Sequence, residues 1–92
     1  MIKSFKCSHT ENLAKGNQVK RFGGIVKVAR RKLRQLEIAS QLEDLRVPPG
    51  NHLEALKGDR SGQYSIRIND QWRLCFCWEN GYAENVEIVD YH

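Results

Sequence analysis

The chain has 92 residues, with 15 Lys and Arg against 11 Asp and Glu and a formal net charge of +4. That length predicts one domain, residues 1–92, with a single modest core, and it holds no run of the roughly 18–20 apolar residues that span a bilayer. The opening Met1-Ile2-Lys3-Ser4-Phe5-Lys6-Cys7 lacks the apolar central region of a secretory signal, so a cytoplasmic protein with no membrane contact is expected.

The first segment, Ile2 to Lys6, alternates in character and suits an edge strand. Ser8 or Thr10 then offers a cap for a short helix with Glu11 in its first turn, ending near Gly16. Gly23-Gly24 precedes the clearest helix. From Ile25 onward Val28, Ala29, Leu33, Leu36 and Ala39 recur at spacings of three and four, which is one face of a 3.6-residue period. Lys27, Arg30, Arg31 and Arg34 fall mostly on the opposite side, and no acidic residue lies between Lys20 and Arg34. Such a face is either simply solvated or a phosphate-contacting surface. Both readings stand at this point.

Ser40 reads as the cap of a further short helix, with Glu43 at its third position completing a capping box. Pro48-Pro49-Gly50-Asn51 ends it, because proline lacks the amide hydrogen and disfavours helix in the residue before it. A short apolar stretch, Leu53 to Leu56, leads into the turn-rich Lys57-Gly58-Asp59-Arg60-Ser61-Gly62.

The last third reads as a three-stranded antiparallel meander over 63–68, 72–78 and 82–89, with turn signals at Asn69-Asp70 and Asn80-Gly81. Burial sets the register. Tyr64, Ile66 and Ile68 should share a face with Trp72, Leu74, Phe76 and Trp78, which requires a three-residue loop, Asn69 to Gln71. The same logic predicts a loop of Glu79, Asn80 and Gly81, with a left-handed Gly81 forming a bulge and with Val86 and Ile88 on the apolar face. On the other face Arg67 then opposes Arg73, and Arg73 opposes Glu87. Two arginines directly across a strand pair repel, so an uncovered face presenting them points to an anionic ligand, unless Glu87 neutralises the pair. The fold expected is α+β, with an N-terminal edge strand, two to three helices and the meander, the helices packed on one sheet face.

Cys7, Cys75 and Cys77 are an odd count, which suits reduced thiols. Cys75 and Cys77 stand two apart in a strand, about 6–7 Å, awkward for a disulfide. They lack the paired ligands on a tight turn typical of a zinc site, so neither metal nor cofactor is expected. Trp72 and Trp78 read as core residues, and His9 and His52 as surface residues without a role.

The run Leu56-Lys57-Gly58-Asp59-Arg60, the stretch Gln63 to Arg73 and the terminal Asp90-Tyr91-His92 resemble the signature of HigB-type toxins of the RelE superfamily. The opening Met1 to Phe5 fits as well, so the resemblance spans nearly the whole chain, most weakly from Cys7 to Gly24. It implies a RelE-like fold and an endonuclease that cuts messenger RNA on the translating ribosome and is neutralised by a cognate antitoxin protein. Lys57, Arg73, Asp90, Tyr91 and His92 match the family's functional positions, while Arg60 and Arg67 are added from charge and register. In one place the chain departs. Many members carry a histidine two residues before the leucine of Leu-Lys-Gly-Asp, where this chain has Glu54.

Metal-free RNA cleavage needs a base for the 2′-hydroxyl, cations for the charge on the phosphorane and an acid for the leaving oxygen. Arg73 and Lys57 suit the second task. His92 exchanges protons at neutral pH, Asp90 would orient it or act as base, and Tyr91 would stack on an unpaired base. Glu54 is the substitute base if it replaces the usual histidine. The alternative is a non-catalytic RNA- or antitoxin-binding module of the same fold.

Overall fold

A computed structural model describes residues 1–90. Two helices, α1 (Ser8–Ala14) and α2 (Val26–Ile38), precede four strands, β1 (Glu54–Ala55), β2 (Gln63–Arg67), β3 (Trp72–Glu79) and β4 (Tyr82–Asp90). The strands form one antiparallel sheet in the order β1-β2-β3-β4. Among the described residues no helix is long and apolar enough to cross a membrane.

Helix α2 is built from strong helix formers and carries its apolar residues in register. Ala29, Leu33 and Leu36 are buried, as its spacing predicts. They pack with Leu13 of α1 against a sheet face made by Ile66, Leu74, Phe76, Ala83, Val86 and Ile88. Trp72 and Trp78 join the same core. Trp72 meets Phe22 edge-on at 5.4 Å between ring centroids, and Trp78 meets Phe76 at 6.4 Å. The expected core role of both tryptophans is thus met.

The N-terminal segment runs parallel to β4 along its free edge. It touches β4 as two isolated bridges, Ile2 with Ala83 and Phe5 with Val86, rather than as a continuous strand. The reason lies in β4. Asn85 adopts a left-handed φ of 53° and its amide donates to the Ser4 hydroxyl at 2.9 Å, which interrupts the ladder. At the other edge β1 is an addition to the expected meander. It is only two residues long, too short to show a period of its own.

Between β2 and β3 the expected register holds. Ile66 stands opposite Leu74 and Arg67 opposite Arg73, and Asn69 to Gln71 form the loop, with the Asn69 side chain accepting from the amides of Gln71 and Trp72 at 2.8 Å each. Between β3 and β4 the register differs. Glu79 pairs with Tyr82, so the loop is the two residues Asn80 and Gly81, both at positive φ (53° and 84°), as a type I′ hairpin requires. The extra residue appears farther on, as a bulge between the Cys77–Glu84 and Cys75–Glu87 pairs. The apolar pattern demands it. With period two, Ala83 on the core face would bring Asn85 and Glu87 inward, and the slip at Asn85 lets Val86 and Ile88 face the core instead. Val86 and Ile88 are on the apolar face, as expected. Arg73, however, opposes Val89 and not Glu87, which stands opposite Cys75.

Two expected caps also move. No side chain caps α1, whose N-cap is Cys7; the buried Thr10 hydroxyl instead accepts from the Ile88 amide at 3.0 Å. The segment after Ser40 is a 3₁₀ turn, Leu42–Arg46, with Gln41 as N-cap. Asp44, not Glu43, reaches back, accepting from the amides of Ser40 and Gln41 at 3.0 and 3.1 Å. The tighter 3₁₀ turn starts one residue later than an α-helix capped by Ser40 would. Glu43 pairs with Arg46 at 2.7 Å.

Candidate functional site

The sheet face turned away from the helices carries Glu54, Ser65, Arg67, Arg73, Cys75 and Glu87 by strand alternation. It is not the open surface expected from the sequence. Ser65 and Cys75 are fully buried and Arg73 is 9% exposed.

Arg73 is the centre of this face. Its Nε donates to the Ser65 hydroxyl at 2.8 Å, and an Nη2 donates to the His52 carbonyl at 2.6 Å. The same nitrogen lies 3.7 Å from Glu54 Oε1. Each neighbour has a local cause. Ser65 is inward on this face because Ile66 next to it belongs to the core. Glu54 arrives through its pairing with Ser65. The His52 carbonyl is turned toward the guanidinium by a left-handed backbone at His52, φ 45° and ψ 59°, at the end of a 3₁₀ turn over Pro49–Asn51. Such a conformation is uncommon for a residue with a side chain.

Beside this group Arg60 pairs with Glu87 at 2.8 Å and donates to Gln63 at 3.1 Å. Under them burial pushes the Cys75 thiol above its ordinary pKa, opposed by Arg60 and reinforced by Glu87. Arg67 is ion-paired with Asp70 at the hairpin end. Lys57 is exposed, immediately before the 3₁₀ turn Gly58–Arg60.

Other expected site residues lie elsewhere. Asp90 stands opposite Trp72, on the helix-bearing side of the sheet from Arg73, and accepts from the Gln71 side chain at 3.1 Å. Lys27, Arg31 and Arg34 are exposed on α2, across the sheet from Arg73. Arg30 has structural partners, donating to the Leu13 and Asn17 carbonyls at 3.2 and 3.1 Å and so closing the end of α1. Tyr91 and His92 lie outside the described residues. Among the described residues no group of three His, Cys, Asp or Glu side chains is arranged to hold a metal ion.

Sequence reasoning missed Ser65, the His52 carbonyl and the Arg60–Glu87 pair. The alternation that placed Arg67 and Arg73 on one face also carried Ser65 there. For His52 the contribution is a backbone atom, which no residue type announces.

Chemically, the Arg73 guanidinium is a fixed positive fork beside an accessible carboxylate, 55% exposed on the Glu54 side chain. This is a pairing of anion-stabilising and proton-accepting groups.

The profile of the HigB-like toxins, described as the RelE-like toxin of type II toxin-antitoxin system HigB, matches residues 8–92. The chain belongs to this family. Toxin HigB-1 of Vibrio cholerae serotype O1 is similar, with 51% identity over 55 residues, covering 60% of this chain and 58% of that protein. Endoribonuclease HigB of Proteus vulgaris is 45% identical over 40 residues, covering 44% of each chain. The aligned part of this HigB-like chain thus spans less than two thirds of either relative. Among solved structures, a mutant of YafQ from E. coli superposes with a TM-score of 0.67 at 14% identity, covering 98% of this chain and 93% of that one. The YoeB-YefM complex from Staphylococcus aureus gives 0.58 at 22% identity, covering 100% and 98%. At these identities the structures show the RelE-like fold alone.

Proposed function

We propose that this chain is the toxin of a type II toxin–antitoxin pair, a single-domain cytoplasmic endoribonuclease that cuts messenger RNA on the ribosome without a metal. The observation that carries the proposal is the Arg73–Glu54 pair at 3.7 Å, its arginine held by Ser65 and His52. Glu54 takes the 2′-hydroxyl proton as the 2′-oxygen attacks the adjacent phosphorus. Arg73 and Lys57 stabilise the charge gathering on the phosphoryl oxygens. His92 gives a proton to the departing 5′-oxygen, leaving a 2′,3′-cyclic phosphate and a 5′-hydroxyl, and Tyr91 stacks on a neighbouring base.

Two observations favour Glu54 as the base over Asp90. Glu54 shares a sheet face with Arg73, whereas Asp90 stands opposite Trp72 on the other. Asp90 then serves the tail by orienting His92. Arg60 and Arg67 flank the cut site and hold RNA phosphates. Lys27, Arg31 and Arg34 on the far side contact ribosomal RNA or the antitoxin, with Arg30 more a brace than a contact. A cognate antitoxin partner is supported by the family itself and by the heterotetrameric YoeB-YefM toxin-antitoxin complex from Staphylococcus aureus, one of whose chains shares this fold.

The test is growth and RNA-end mapping in a bacterial host after inducing the wild type and Arg73→Ala side by side. Arrest with new 5′ ends inside translated messages, absent in the variant, is expected. Toxicity unchanged in Arg73→Ala overturns the mechanism. Folded wild-type protein that binds RNA with a salt-dependent affinity but never cuts it would make the chain a binding module.

A further inference from the structure

Behind the site lies a buried polar cluster that the cleavage chemistry does not use. Asn51 is fully buried. Its Oδ1 accepts from Lys32 Nζ of α2 at 2.5 Å. Its Nδ2 donates to Gln35 Oε1 of α2 and to the Leu45 carbonyl, both at 3.0 Å, with the Val47 carbonyl at 3.4 Å. Lys32 is itself buried, and burial, with the Arg31 charge second, lowers its pKa.

A buried lysine and a buried amide are a costly way to fill a core position. A well-packed apolar side chain of similar volume is often neutral or better for stability. Buried polar groups hold one arrangement against others when every hydrogen bond left unmet carries the desolvation cost of its group. The arrangement held here is the peptide following Asn51. His52 is its next residue, in a left-handed conformation, and the His52 carbonyl is the acceptor at 2.6 Å from Arg73 Nη2. The Asn51 backbone adds to the hold, its amide donating to the Pro48 carbonyl at 2.9 Å.

We infer that Asn51 is a positioning residue for Arg73: anchored on α2 through Lys32 and Gln35, it fixes the left-handed His52 so that its carbonyl, with the Ser65 hydroxyl, sets the direction of the Arg73 guanidinium. The inference rests on Arg73 being the charge-stabilising group of the proposed reaction for its catalytic consequence only; the positioning itself is a property of the folded chain. Glu54 draws on the guanidinium from its exposed side, against the hold of the His52 carbonyl and the Ser65 hydroxyl.

Asn51→Asp is the direct test. The substitution keeps shape and an acceptor for Lys32, but turns an oxygen toward the Leu45 carbonyl. In ¹⁵N-labelled full-length protein, the Arg73 Nη2–H resonance, the group bonded to the His52 carbonyl, should be protected in the wild type, and exchange with water at least about ten times faster in Asn51→Asp. Leu13→Ala, a core change on α1, is the control for lost stability alone and leaves that resonance protected. In RNA cleavage, Asn51→Asp should lower kcat by roughly 10–100-fold with KM changed less than about 3-fold, the signature of a misdirected group. If Asn51→Asp does not fold, His52→Pro decides, because proline's fixed negative φ cannot hold the observed +45°. A folded variant whose Arg73 resonance keeps its wild-type shift and protection overturns the inference. Wild-type protein that cuts no RNA would overturn the proposed function while the resonance still judged the positioning.

Discussion

Arg67 and Arg73 stand directly opposite each other across β2 and β3, and their guanidinium groups serve different acceptors. Arg67 turns to Asp70 at the hairpin end, while Arg73 turns inward to Ser65 and His52. Like charges so opposed repel, and the two sets of acceptors are what let both remain on one face.

The asymmetry predicts unequal substitutions. Arg67→Ala loses an exposed pair, Asp70 being 98% exposed, and should change stability by less than about 0.5 kcal/mol. Arg73→Ala strands the buried Ser65 hydroxyl and should cost about 1–3 kcal/mol. In cleavage, Arg73→Ala should lose on the order of 10²–10³ in kcat, and Arg67→Ala less than about 10-fold. Arg73→Lys recovers little, since an ammonium lacks the fork that reaches Ser65 and His52 together. Urea melts and single-turnover cleavage on all three variants check this, and equal losses at both positions would contradict it.

Cys75 should behave as an inert thiol. It is fully buried, and burial raises its pKa, so the reactive thiolate is scarce at neutral pH. Cys7 and Cys77 are only partly covered and should alkylate first. Labelling followed by peptide mass mapping should find Cys75 modified only when denaturant is added. Modification of Cys75 in native protein at the rate of Cys77 would mean that this face opens.

The Asp44 carboxylate titrates below its ordinary value of 3.8, held down by the Gln41 amide first, then by the Ser40 amide and hydroxyl. A depressed folded-state pKa contributes stability that is full above the unfolded value and lost as pH falls through the folded one. The difference in Tm between wild type and Asp44→Asn should therefore stay constant from neutral pH down to the ordinary carboxylate range and close below it. A difference that persists unchanged in strong acid would assign the cap to something other than the carboxylate.

What was legible in the sequence followed from periodicity. The α2 face and the Ile66–Leu74 register are both consequences of apolar spacing, and the Arg67–Arg73 opposition came with them. The β3–β4 register was not legible, because Asn80-Gly81 and the Ala83, Val86, Ile88 pattern each make sense alone and are reconciled only by the bulge at Asn85. Within the site, side chains with formal charge stood out, whereas Ser65 looked like an ordinary strand residue. The His52 carbonyl was invisible, and the role of Asn51 depends on Lys32, nineteen residues earlier in the chain. For Asp90 the residue type fitted the chemistry, and only the pairing with Trp72 assigned it to the other face.

Glu54 gives the sharpest test, because it stands two residues before the leucine of Leu56-Lys57-Gly58-Asp59, where the resemblance to HigB-type toxins implies a histidine in many members. If it is the base, Glu54→Gln keeps the shape and its distance to Arg73 but cannot take a proton, and kcat should fall by about 10²–10⁴. Glu54→His restores a proton acceptor near neutral pH and should recover much of that loss, with activity that now declines in acid as the imidazole becomes protonated. A purely structural role predicts the reverse order. Gln would then be tolerated, since the contact with Arg73 is long and exposed, and His would be worse because a protonated ring repels the guanidinium. Cleavage rates of the two variants across pH separate these cases, and Glu54→Gln with wild-type turnover would remove Glu54 from the chemistry.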